Sequence, residues 1–208
     1  PRAQNHVTNV LLGASKAPEA LQHLKERSER LSGSSLLNLR YVTLKMQLGE
    51  LTEKDLDVRG EALAKQPFDA QALMALRQGV DWCVEVSRGG ACARNFLRLL
   101  SYMDGSSSFG GVRFYERLAS YLKFKIYLYL MEPKEALNYA LEAVEKYSRA
   151  ETSLRVVAEM ASAGLYGEAL AVLREARVLL GKQKKSSLKR SYSAYKSELD
   201  RLEEQIAL

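Results

Sequence analysis

The stretch AETSLRVVAEMASAGLYGEALAVLREARVLLG, running from Ala150 to Gly181, decides how this chain is read. Leu154, Val157, Met160 and Ala161 recur at the spacing of one helix face, and Ala169, Leu173, Ala176 and Leu180 repeat the pattern further on. Between them stands Gly164-Leu165-Tyr166-Gly167. That break is too short for anything but a reversal of the chain, so the two patterns predict an antiparallel helix pair.

Outward from this pair, a tripeptide recurs in register. Glu-Ala-Leu stands at 135–137 and again at 168–170, 33 residues on, and also at 19–21 and 61–63. Ala140 and Ala143 follow Ala136 much as Leu173 and Ala176 follow Ala169. Gly164, Tyr166, Ala169, Leu173 and Ala176 resemble the second half of a tetratricopeptide (TPR) repeat, whose period is about 34 residues. The first half departs from that pattern, with Val156, Val157 and Met160 where the family keeps Leu, Gly and Tyr. The expectation is an all-α chain of antiparallel helix hairpins, stacked as a TPR-like solenoid of about five pairs.

The remaining helices follow from periodicity and punctuation. Pro18, Pro67 and Pro133 each stand at the start of an apolar-periodic segment, where a missing N–H costs little. The predicted helices cover 17–31 with Ser15 as N-cap, 36–48 stopping at Gly49, 52–65, 69–86 and 91–103. A short amphipathic turn precedes them over 3–12. In the fourth helix Ala72, Leu76, Val80 and Cys83 share a face, although alternating Trp82, Val84 and Val86 leave a locally extended end open. Asp104 to Gly111 is the one clear loop. Residues 112–130 then form a helix apolar on more than one face, 134–147 another, and 187–207 a charged amphipathic cap with Tyr192, Tyr195, Leu199, Leu202 and Ile206 as its seam. All of this reads as one helical-repeat domain over 1–208, with divergent pairs in 1–111, the best-matching pairs in 112–181 and the cap in 182–208.

Composition bounds the function. A hydrophobic fraction of 47% with 27% charged residues belongs to an ordinary folded chain. No apolar run reaches the roughly 18 residues of a membrane span. A net charge of +6 is too mild to identify a nucleic-acid binder, and none is expected. The chain opens PRAQNHV without a Met, so it reads as a piece of a longer parent. Phosphate-cradling Gly-rich loops, Gly-x-Ser-x-Gly elbows and His-Glu-x-x-His are all missing, and both His lie near the N-terminus. The chain is read as non-enzymatic by itself, with no cofactor.

Three features carry the remaining chemistry. Cys83 and Cys92 are the only cysteines, placed at the end of one helix and the start of the next. They form either a disulfide closing a small loop, contributing about 2–3 kcal/mol, or two buried core thiols. Two Cys alone do not complete a metal's tetrahedral set. Tyrosines and phenylalanines crowd the section from Tyr102 to Tyr147, as packing residues or as a groove of rings and hydroxyls. Within it Tyr121 and Lys125 are the candidate binding pair, placed off the main core seam. Lys182, Lys184, Lys185, Lys189 and Arg190 form the densest basic cluster, either a solvated connection between helices or a patch for phosphates, lipid headgroups or an acidic partner.

A second resemblance spans about half the chain. The section LGELTEKDLDVRGEALAKQPFDAQALMALRQGVDWCVEVSRGGACARNFLRLL resembles the C-terminal periplasmic regions of bacterial O-antigen ligase and polymerase-like membrane proteins, the pilin O-oligosaccharyltransferases among them. It shares a helix ending near Gln66-Pro67-Phe68-Asp69, a helix leading to Cys83, and Cys92 opening the next. This resemblance implies a periplasmic domain beside a membrane-embedded catalytic part, with an acceptor protein or peptide, or a lipid-linked glycan, as partner. It carries no catalytic residue onto this chain. The other reading is a free-standing cytosolic TPR-type adapter or chaperone that holds a peptide in its concave groove.

Overall fold

The computed structural model describes residues 16–31, 34–66, 68–86, 90–104, 113–147, 150–183 and 189–207. Ten α-helices account for nearly all of them, and no strand occurs among the described residues. They are α1 (Ala17–Arg30), α2 (Ser35–Leu48), α3 (Glu53–Ala64), α4 (Ala70–Glu85), α5 (Ala91–Asp104), α6 (Arg113–Tyr129), α7 (Pro133–Tyr147), α8 (Ala150–Ser162), α9 (Tyr166–Gln183) and α10 (Lys189–Ala207). None is long and apolar enough to cross a membrane among the described residues. The fold class expected from periodicity, all-α, is the one observed. Two compact units divide the chain, Pro1–Tyr115 and Glu116–Leu208.

Local chemistry sets the helix ends of the first unit. Ser34 caps α2 by accepting the Leu37 N–H, and α2 stops at Gly49 in the left-handed region, φ 70°. Thr52 and Asp55 form a reciprocal capping box on α3, and the Asp69 carboxylate accepts the Ala72 N–H at 2.7 Å to open α4. The expected cap Ser15 lies outside the described residues; Lys16 holds the N-cap position of α1 and makes no side-chain bond there. Trp82 and Val84 are helical, so α4 has no extended end before Val86. Its tertiary neighbours override the β-branched alternation.

Within the first unit α2 is the hub, touching α1, α3 and α4, while α5 packs on α3 and α4. Its dense apolar sequence follows from that position: Leu37, Leu39, Tyr41, Val42 and Leu44 are all buried. From α4 the predicted face, Ala72, Leu76, Val80 and Cys83, is fully buried as well. Gly79 lets α4 close in, since a Cβ there would stand 2.7 Å from Phe96 Cζ and 2.9 Å from Thr43 Oγ1. One polar cluster enters this core. Asn38, 1% exposed, donates to Gln66 Oε1 at 3.1 Å and accepts from Arg59 at 2.7 Å, so its amide is satisfied. The Arg59 guanidinium in turn lies 4.7 Å over the Tyr41 ring.

In the second unit α7 touches α8 and α9, α8 touches α9 and α10, and α9 touches α10. Ala136, Ala140 and Ala143 of α7 and Ala169, Leu173 and Ala176 of α9 are buried, the small residues allowing the two helices to lie close. On α8 the buried seam is Ser153, Val156, Val157 and Met160, with Leu154 and Ala161 half-buried at its edge. That seam is rotated from the predicted one because α8 is packed by α7, α9 and α10 together. Two turns repeat at the 33-residue period. Met131 and Gly164 both adopt positive φ, 56° and 79°. Each turn carries the same pair of bonds: Met131 N–H to Leu128 O and Glu132 N–H to Tyr127 O, then Gly164 N–H to Ala161 O and Leu165 N–H to Met160 O.

Candidate functional site

Because α8 buries Ser153, Val156, Val157 and Met160, its opposite side presents Glu151, Arg155 and Glu159, one turn apart each. Neighbouring helices reach in from both sides of this row. From α6 the Tyr121 hydroxyl donates to Glu159 Oε1 at 2.8 Å, and from α10 the Tyr195 hydroxyl donates to Glu151 Oε1 at 2.8 Å. Phenol, carboxylate and guanidinium thus alternate across three helices.

Electrostatics keeps these phenols protonated. Burial, followed by the charge of Glu159 and the bond to it, pushes the Tyr121 hydroxyl well above its ordinary value, against a smaller opposing effect of Arg155. Tyr195 is raised first by its bond to Glu151, then by burial and the Glu151 charge. Both hydroxyls are therefore fixed donors. A row of this kind hydrogen-bonds and pairs charge.

The expected site residues fall as follows. Tyr121 is 7% exposed and packs within the second unit's core, which corrects its placement off the main seam. An α6 apolar on several faces leaves little of this ring in water, and only its hydroxyl edge reaches the polar row. Lys125 stands one turn further along α6 and is half-buried. Lys184 and Lys185 lie outside the described residues, as do the side chains of Lys182, Lys189 and Arg190, whose backbone is helical. Glu151, Arg155 and Glu159 escaped sequence reasoning, although their four-residue spacing opposite an apolar seam marks them. The aromatic section also contains a parallel pair, Tyr127 on Tyr139 with centroids 5.4 Å apart, and Lys123 Nζ lies 4.9 Å over Tyr139. These half-buried rings join α6 to α7.

In the first unit Cys83 and Cys92 stand at disulfide distance, their Cα atoms 5.9 Å apart and both side chains buried. Met46 Sδ lies 3.8 Å from Cys92 Sγ. Also on α2, Lys45 Nζ pairs with Asp55 Oδ2 at 2.8 Å. Where α3 meets α5, Asp57 accepts from both the Tyr102 hydroxyl at 2.7 Å and Arg98 at 2.6 Å. No protein-family profile matches the chain, and no curated protein or solved structure matches it either.

Proposed function

We propose that this chain is a non-catalytic recognition domain of TPR-like helix pairs stacked as a solenoid. It works in the periplasm, attached to the membrane-embedded part of a glycan ligase or oligosaccharyltransferase, and assists recognition of an acceptor protein or a lipid-linked glycan. The observation that carries the recognition role is the polar row on α8, lined by tyrosines from the helices on either side. The 33-residue recurrence of the hairpin turn supports the repeat reading. Compartment rests on the cysteine pair, since disulfides persist in oxidising surroundings and are rare in the cytosol. Attachment to a glycan-transferring parent rests on the sequence resemblance alone.

Two measurements test this. Thiols of the protein in its native cells are blocked with a mass-tagged maleimide under denaturing, non-reducing conditions; no label is expected. Two labelled cysteines would place the chain in a reducing compartment and favour the cytosolic adapter. A photo-crosslinking residue at position 155 should trap a glycan-acceptor protein or a lipid-linked glycan in the same cells. Capture of cytosolic peptides in their place overturns the assignment.

A further inference from the structure

Three sulfur atoms from three helices meet in the core of the first unit. Cys83 lies near the end of α4, Cys92 in the first turn of α5 and Met46 in the last turn of α2. All three side chains are buried. The Met46 Sδ to Cys92 Sγ distance is 3.8 Å. Metal–thiolate bonds of about 2.3 Å set the sulfurs of a trigonal group about 4 Å apart, so this edge already has a suitable length. The cysteines reach the same spacing by side-chain rotation once no S–S bond joins them, over a Cα separation of 5.9 Å.

We propose that Met46, Cys83 and Cys92, in the dithiol state of the protein, form a binding site for a soft monovalent metal of the copper(I) class. Donor type decides the class: two thiolates and a thioether suit copper(I). Zinc prefers four harder or equal donors, and no group of three or more His, Cys, Asp and Glu stands together among the described residues. A dithiol reductant supplies the two electrons and two protons that convert the S–S bond to two S–H groups. Copper(I) then binds both sulfurs and releases those two protons, leaving a complex of one negative charge. The positive N-terminal end of the α5 dipole favours that charge beside Cys92. Oxidation of the pair closes the site, so metal occupancy is tied to the redox state of the surroundings. None of this depends on the recognition role proposed above.

The whole chain is reduced with a water-soluble phosphine, desalted without oxygen and titrated with copper(I) held by excess bicinchoninate. One copper per chain is expected, with a first shell of three sulfurs by X-ray absorption, and none on the oxidised protein. Met46→Leu, close in volume, should weaken retention at least about tenfold. Copper left with the chelator by the reduced wild type overturns the site. So does a two-sulfur shell, or an unchanged affinity in Met46→Leu. The sulfur count is read on the wild-type chain and decides the matter even where the variant does not fold.

Discussion

Gly79 is the residue on which the first unit's packing is most exposed to test. Its missing side chain admits Phe96 from α5 and Thr43 from α2, and a single methyl group would collide with both. Gly79→Ala is expected to destabilise the protein by about 1–3 kcal/mol despite alanine's better helix propensity, measured by urea unfolding. Lys45 and Asp55 give a pH signature. The bond to Asp55 raises the Lys45 ammonium above its ordinary value, so its contribution is complete at lower pH and is lost above about 10.4. Partial burial pushes the Asp55 carboxyl up, but bonds from Lys45 and Thr52 together with the lysine charge outweigh it and hold it down. The Asp55 share is therefore present above about 3.9 and disappears as pH falls through its folded-state value. Asp55→Asn keeps an oxygen for the α3 cap and loses the charge. The stability gap between wild type and Asp55→Asn should stay level near neutrality, at under about 1 kcal/mol, and close at both extremes.

At the scale of elements, the two 33-residue turns invite a paired experiment. Met131 holds a left-handed conformation that costs a side-chain-bearing residue about 1 kcal/mol or more, and its side chain is 67% exposed, so little packing is at stake. Met131→Gly is expected to raise stability by about 0.5–1 kcal/mol. Gly164→Ala should lower it by a similar amount, since a Cβ there meets nothing and only the backbone objects. Opposite shifts in urea midpoint at the two sites would mark the turns as equivalent. Helix positions were largely legible beforehand, because Ser34, Thr52 and Asp69 declare starts and Gly49 and Gly164 declare stops within a few residues. Which side of each helix is buried was legible where one neighbour dominates, as on α4. It was not on α8, packed by three helices, where the apolar periodicity of Leu154 and Ala161 pointed slightly off the true seam. Contacts such as Asn38 with Gln66 or Tyr121 with Glu159 join residues 28 and 38 positions apart, and no local pattern in one sequence encodes such a pairing.

For the whole molecule, the division into two compact units has a consequence for oxidation state. The Cys83–Cys92 loop belongs wholly to the first unit. Reduction of an oxidised pair should cost that unit about 2–3 kcal/mol by the loop-entropy relation. Hydrogen exchange should quicken in α1 to α5 on reduction and stay unchanged in α7 to α10. Equal loss of protection in both units would show that they unfold as one. The sharing of Glu159 between α8 and its surroundings has a different reach. Any cationic or hydroxyl-bearing visitor that bonds this carboxylate competes with Tyr121, whose hydroxyl sits in a nearly closed place and cannot easily turn to water. A guest on the outside of α8 is therefore felt inside, as a loosened clasp on α6. On the recognition role proposed above, the polar row would be a latch as well as a contact surface.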